Sequence, residues 1–87
     1  MKKIHFTGGS ITVYPDRLDL EQKALFSVKK TALLPFSDIK DVSGLFDRLH
    51  IETRSGEKFS LWFGVGGTMR VLMAKKAIKA AMKDAGF

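Results

Sequence analysis

Residues 48–87 read RLHIETRSGEKFSLWFGVGGTMRVLMAKKAIKAAMKDAGF, and the spacing of apolar residues changes within this segment. Apolar and polar residues alternate over 48–53 and again over 58–63, which is the period of a half-buried strand. The turn-forming residues 54–57 separate the two runs and predict a β-hairpin. Beyond residue 67 the apolar residues recur every three or four positions, which is the period of a helix. A hairpin followed by a helix is therefore expected at the C-terminal end.

The two arms of this hairpin are expected to share one apolar face. Leu49 and Ile51 on the first arm are expected to face the apolar residues of the second, because cross-strand apolar pairs stabilise a sheet. These are Phe59, Leu61 and Phe63. Trp62 then falls on the opposite face. Two interpretations of Trp62 are open: it packs beneath a loop or the helix, or it marks a contact surface, where aromatic residues are enriched.

The C-terminal residues predict an amphipathic helix over 68–85, about 26 Å long. Thr68 is the expected N-cap, and Gly86 has the character of a residue that ends a helix. One stripe of the helix is apolar and is expected to pack on the sheet. It comprises Val71, Ala74, Ala77, Ile78, Ala81, Met82 and Ala85.

A second face of the helix is basic. The chain carries a net charge of +6, and residues 68–87 contribute five Lys and Arg against one acidic residue. This face is either a solvated surface or a surface for the phosphates of an anionic membrane or a nucleic acid. Four lysines without an apolar anchor attract a membrane only weakly. This basic surface comprises Lys75, Lys76, Lys79 and Lys83.

The first half of the chain predicts further strands. Apolar and polar residues alternate up to Gly8-Gly9, resume at residue 10 and alternate again after the turn signal Pro15-Asp16. Residues 25–36 are expected to form two short strands joined at Lys29-Lys30, with Pro35 at a strand end because proline cannot donate to a ladder. Residues 37–44 follow as a short edge segment.

Length and composition favour a single domain over residues 1–87, with strands within 3–63. The chain is 45% apolar and 28% charged, and it contains no cysteine. Disulfides, thiol nucleophiles and cysteine metal sites are thereby excluded. A small domain without disulfides favours a reducing compartment. No run has the apolar length of a signal peptide or a membrane span, so a complete, cytoplasmic protein is expected.

Three stretches resemble the bacterial pleckstrin-homology-like (PH-like) domains. Residues 11–18, ITVYPDRL, resemble their early hairpin, and residues 34–42, LPFSDIKDV, resemble their middle segment. The spacing of Leu49, Ile51 and Gly56 resembles their late hairpin, which a terminal helix follows. The resemblance implies an α+β fold: a bent antiparallel sheet or partly open β-barrel with one C-terminal amphipathic helix.

The same resemblance implies a scaffold that binds proteins, peptides or lipid head groups and has no shared catalytic residues. The chain is short for the family and lacks a loop of clustered Lys and Arg between its first two strands. Only Arg17 lies near that region. Phosphoinositide binding is therefore not carried over to this chain.

The glycine-rich segment 64–70 lies between a strand and a helix, where phosphate-binding loops also lie. A Walker loop ends in Gly-Lys-Ser/Thr, whereas this segment has Gly67-Thr68-Met69. A dinucleotide-binding loop has a glycine at the position of Met69. Free N–H groups beside a cation can still hold an anion; otherwise the glycines only let the chain turn. The candidate anion-binding residues are Gly66, Gly67, Thr68 and Arg70.

No arrangement of residues predicts catalysis. His5 and His50 have no partner at a metal-ligand spacing. Asp38 and Asp41 are expected to serve a turn rather than acid–base chemistry, which needs an apolar pocket to separate the pKa values of the two carboxyl groups. No serine has the setting of a nucleophile elbow. We therefore expect no enzyme, no metal, no cofactor and no small-molecule substrate.

The function expected from the sequence is that of a non-catalytic PH-like interaction module, which binds a protein partner or self-associates. An exposed strand edge near residues 37–43 would serve by strand addition. The alternative is a small basic protein that binds an anionic membrane or nucleic acid through the basic surface. High salt would abolish the second kind of binding but not the first.

Overall fold

The computed structural model describes residues 1–23 and 29–87. Its elements confirm the predicted α+β class. In chain order they are β1 (Lys2–Phe6), β2 (Gly9–Val13), β3 (Arg17–Lys23), β4 (Lys29–Pro35), a short 3₁₀ turn (Phe36–Asp38), β5 (Ile39–Leu45), β6 (Arg48–Thr53), β7 (Lys58–Trp62) and α1 (Thr68–Asp84).

The strands form two antiparallel sheets within these described residues. The first sheet has the order β1-β2-β3-β4, and the second has the order β5-β6-β7. Within each sheet, sequential strands are neighbours, so short turns suffice to join them. Helix α1 packs against β5, β6 and β2 and so contacts both sheets. It is also neither long nor apolar enough to span a membrane.

The C-terminal hairpin has the predicted apolar face. Leu49 lies opposite Leu61, and Ile51 lies opposite Phe59. Leu49, Ile51 and Leu61 are buried, and Phe59 is half-buried against the core. The predicted apolar face of the hairpin is thus confirmed.

The N-terminal strands obey the same alternation. Ile11 pairs with Leu20 and Val13 pairs with Leu18, and all four side chains are buried. Together with side chains from the second sheet and the helix they form one core cluster. Its largest fully buried members are Phe36 and Phe63.

The expected joint at Lys29-Lys30 is wrong. Both lysines belong to β4, where Lys29 lies opposite Lys23 and Lys30 lies opposite Gln22. Strand pairing with β3 overrides the local polarity, because lysines are well tolerated at the solvent-exposed end of an outer strand. The first of the two expected short strands falls mostly on residues 24–28, which lie outside the described residues. Pro35 ends β4, as predicted.

The expected N-cap is also wrong by one residue. Gly67 is the cap, its carbonyl accepts the amide of Val71 at 2.9 Å, and no side chain caps the helix. A Cβ at Gly67 would lie 2.5 Å from the carbonyl oxygen of Phe63, so only glycine fits where the chain enters the helix. Thr68 is therefore the first helical residue. At the other end α1 stops at Asp84, one residue before the expected end.

Helix α1 runs antiparallel to β5. Near its start, a Cβ added to Gly44 of β5 would lie 2.8 Å from Cγ1 of Val71. After its end, the ring of Phe87 meets the ring of Phe36 edge-on, with centroids 6.4 Å apart, and Phe36 directly precedes β5. The close approach at Gly44 brings the first turns of the helix beside the end of β5.

Candidate interaction surfaces

The outer edge of β5 has no strand partner among the described residues. Its neighbour in the sheet is β6, and the pairing has a register shift between Ile39 and Asp41. Such irregularities and exposed lysines protect edges against unwanted pairing. Here the irregularity and Lys40 protect only the first part of β5. The second part, from Val42 to Leu45, carries neither lysine nor proline.

A groove lies beside this unprotected end of β5, between the strand and the first turns of α1. The groove has a mainly apolar lining with one cation. We call it the β5 groove, and its lining residues are Gly44, Phe46, Thr68, Met69, Val71, Leu72 and Lys75.

Phe46 stands at the mouth of the β5 groove in an unusual backbone conformation. It is the first residue of the two-residue turn between Leu45 and Arg48, and its φ is +55°. Two-residue hairpin turns need a positive φ at this position and therefore favour Gly, Asn or Asp. A bulky side chain in this region stores roughly 1–3 kcal/mol of strain. Its ring is nevertheless 75% exposed, so burial does not offset the strain.

Trp62 lies on the non-core face of β7, as predicted. Its side chain is 38% exposed, and its indole N–H donates to Asp47 Oδ2 at 2.9 Å. The carbonyl of Asp47 also accepts the amide of Phe63 at 2.9 Å. These two hydrogen bonds join β7 to the turn that carries Phe46 and hold that turn in place.

Three lysines of the basic surface, Lys76, Lys79 and Lys83, are exposed, whereas Lys75 is half-buried beside the β5 groove. Sequence reasoning missed three apolar residues on the outward side of α1. Met69 is 66% exposed, Leu72 44% and Met73 62%. The signal was available in the spacing, because Met69, Met73 and Lys76 lie at i, i+4 and i+7 and so share a face.

The candidate anion-binding segment leads into α1, but its cation is engaged in the protein. The guanidinium of Arg70 donates to the backbone oxygens of His5 and Phe63. Gly66 has a φ of +76° and Gly67 packs against Phe63, so both glycines have a role in the turn itself. Thr68 is exposed at the first position of the helix. These contacts favour the structural interpretation of the segment.

Arg17 is likewise engaged locally. Its guanidinium contacts Asp16 at 3.1 Å and Asp19 at 3.0 Å, and it lies 4.1 Å from the centre of the Tyr14 ring. Partial desolvation works to lower the pKa of Arg17, but the hydrogen bonds and charges of Asp19 and Asp16 outweigh it and raise that pKa. A phosphate at this turn would have to compete with both carboxylates.

Asp38 has a turn role, as expected. Its carboxylate accepts the amide of Ser55 at 3.2 Å and the hydroxyl of Ser55 at 3.1 Å, so it joins the 3₁₀ turn to the β6–β7 turn. Asp41 and His50 both line a shallow cleft on β5 to β7. Across residues 1–23 and 29–87, no group of three metal-ligating side chains comes together.

Comparisons with known proteins give no relative. No family model matches the chain, and searches of curated proteins and of solved structures return no significant match. The fold alone therefore defines the class of protein. It is an α+β protein whose described residues form a four-stranded and a three-stranded antiparallel sheet with a C-terminal helix packed on both.

Proposed function

We propose that this chain is a non-catalytic PH-like interaction module that binds an extended segment of a protein partner along the outer edge of β5. The order of elements, with four strands, then three strands and then a terminal helix, is compatible with the PH-like topology. The observation that carries the proposal is the unprotected end of β5 beside the β5 groove. Main-chain hydrogen bonds to such an edge supply affinity, and a neighbouring pocket supplies specificity.

The contrast between β4 and β5 supports the choice of edge. Both are outer strands. Strand β4 begins with Lys29-Lys30 and ends with Pro35, which are features that discourage edge pairing. The end of β5 has no such residue and borders apolar side chains. Of these two edges, the end of β5 is therefore the one at which an added strand would find an apolar contact beside the strand backbone.

Phe46 supports the same location. Its backbone takes a costly positive φ, and its exposed ring lines the β5 groove. Strained residues cluster where a protein makes functional contacts, and exposed aromatic side chains are frequent anchors of protein interfaces. An apolar side chain of the partner would cover Phe46 and Leu72 while its backbone pairs with β5.

Hydrogen exchange on a peptide complex tests the proposal. Peptides are selected from a displayed random library on the immobilised protein, and the best binder is titrated by fluorescence anisotropy. Saturation with that peptide should slow exchange of β5 amides within 42–45 and leave β4 amides unchanged. Phe46→Ser should weaken binding at least tenfold. The matched control is Leu33→Ser, since Leu33 is 66% exposed on β4.

Sedimentation of the pure chain tests whether a second copy of the chain occupies this edge. Concentration-dependent dimerisation with protection of the same β5 amides would support self-association through this edge. The proposal would be overturned if the chain is monomeric and the selected peptide slows exchange at no β5 amide, or only at amides of another strand.

A further inference from the structure

The outward side of α1 combines two kinds of residue, of which Met69 and Leu72 also line the β5 groove. Its first turns expose apolar side chains, and its last turns expose lysines. At 1.5 Å per residue the distance from residue 69 to residue 83 is about 21 Å. We call this face the outer strip, and its residues are Met69, Leu72, Met73, Lys76, Lys79, Ala80 and Lys83.

Structure alone does not require this combination. The side of α1 that packs on the sheets has Val71, Ala74 and Ile78 at 2% exposure or less. The lysines near the end of α1 suit the negative end of the helix dipole. Met73, however, is 62% exposed, and a polar residue there would hold the helix equally well.

We propose that the outer strip binds the surface of an anionic lipid membrane. The methionines and Leu72 supply the apolar anchor that four lysines alone lack, and the lysines meet the anionic head groups. Helices that lie in the membrane interface also combine apolar side chains with lysines, on opposite faces, whereas in α1 the two kinds follow one another along a single face. Charge complementarity is nearly complete, because Asp84 is the one acidic residue in the sequence of α1.

A nucleic acid would use the lysines differently. Its phosphates would bind Lys76, Lys79 and Lys83, and counterion release would contribute affinity. Met69 and Met73 would stay in water beside the sugar-phosphate backbone. A membrane interface takes up both kinds of side chain at once. The exposed methionines therefore favour lipid, and binding to nucleic acid becomes an outcome of the test.

Co-sedimentation with vesicles measures the contribution of the lysines. Vesicles of phosphatidylcholine with phosphatidylserine should bind the protein at physiological salt, whereas vesicles of phosphatidylcholine alone should bind it at least tenfold less. The triple variant Lys76→Glu, Lys79→Glu, Lys83→Glu should lose about a hundredfold or more in affinity, since each lysine near an anionic surface contributes about a fivefold factor. The matched control reverses three exposed strand lysines, Lys30, Lys40 and Lys58.

A label at the anchor separates lipid from the other polyanions. The chain has no cysteine, so Met73→Cys and the control Leu33→Cys each take one environment-sensitive fluorophore. On anionic vesicles the label at residue 73 should shift to the blue, and the label at residue 33 should not. Met73→Ser should weaken vesicle binding several-fold at every salt concentration.

Two results would overturn the proposal. The first is no vesicle binding at physiological salt. The second is binding to RNA or heparin whose affinity falls steeply with salt and is unchanged by Met73→Ser, with no shift of the label at residue 73. These measurements contain no peptide and leave Phe46 and Leu72 unchanged, so their failure is independent of the β5 proposal.

Discussion

Two neighbouring turns of the second sheet are built in opposite ways. In the β6–β7 turn, Gly56 takes the positive φ of +99°, and the hydroxyl of Thr53 accepts the amide of Glu57 at 2.9 Å. In the β5–β6 turn the positive φ falls on Phe46, whose ring is largely in water. The first turn satisfies local physical chemistry at each position, whereas the second departs from it at its most exposed residue.

The contrast locates a position at which the residue type does not serve stability. A glycine or asparagine at position 46 would fit the backbone without strain. The large exposed ring instead borders an apolar groove and an open strand edge. Departures from local rules without a compensating contact inside the fold are expected at functional surfaces.

The largest effect is expected at the β6–β7 turn. Thr53 is 1% exposed, and Thr53→Val would leave the amide of Glu57 without its acceptor. Losing this part-buried hydrogen bond, together with the one between the hydroxyls of Thr53 and Ser55, costs roughly 1–3 kcal/mol of the free energy of unfolding. Urea unfolding should show this as a lower midpoint with an unchanged slope. Ser60→Ala, at an exposed site on β7, is the control, and an equal loss there would contradict the interpretation.

A smaller loss is expected for Gly56→Ala. The added Cβ meets no atom within 4 Å, so the cost comes only from the positive φ and should be about 1 kcal/mol. The same urea titration measures it. A neutral result would mean that the turn adopts another conformation, and the contrast with Phe46 would then lose its basis.

The opposite sign is expected for Phe46→Gly. Relief of the positive φ should raise the free energy of unfolding by up to about 1 kcal/mol, because little burial is lost with a ring that is 75% exposed. The same variant should bind the selected β5 peptide more weakly. A loss of stability in Phe46→Gly would show that the ring serves the fold, and it would weaken the functional interpretation.

The smallest effect is expected for Trp62→Phe. This change removes the hydrogen bond from the indole to Asp47 and keeps an aromatic ring. One partly exposed hydrogen bond contributes about 0.5–1 kcal/mol. The loss should be accompanied by faster exchange of the Phe63 amide, which donates to the carbonyl of Asp47. Unchanged exchange would mean that Asp47 is held without Trp62.

The fold could be predicted from residues whose environment is set by local period. Leu49, Ile51 and Leu61 alternate with polar residues, and they are buried on the face expected. The strand boundary at Lys29-Lys30 and the cap at Thr68 could not be predicted in this way. The first depends on pairing with β3, and the second depends on the close contact of Gly67 with Phe63.

The candidate surfaces were predictable in part. The lysine face follows from helical spacing, and three of its four members are exposed. The apolar part of the outer strip could not be predicted. In a sequence, Met69, Leu72 and Met73 are indistinguishable from core residues until the opposite face of α1 is known to supply the buried side chains. The positive φ of Phe46 could not be predicted from the residue itself. It follows from the two-residue length of the turn, which is known only once Leu45 is seen to pair with Arg48.

The class of fold follows from patterns in the sequence: alternation predicts the strands, the change to a helical period predicts α1, and the turn residues separate them. These features are local, since each depends on the chemistry of residues a few positions apart. Which strand edges stay open and which apolar side chains remain in water depends instead on the packing of the whole molecule. That outcome depends on how two sheets and one helix fill a common core, after which Val71 is buried against Gly44 and Met73 is left outside.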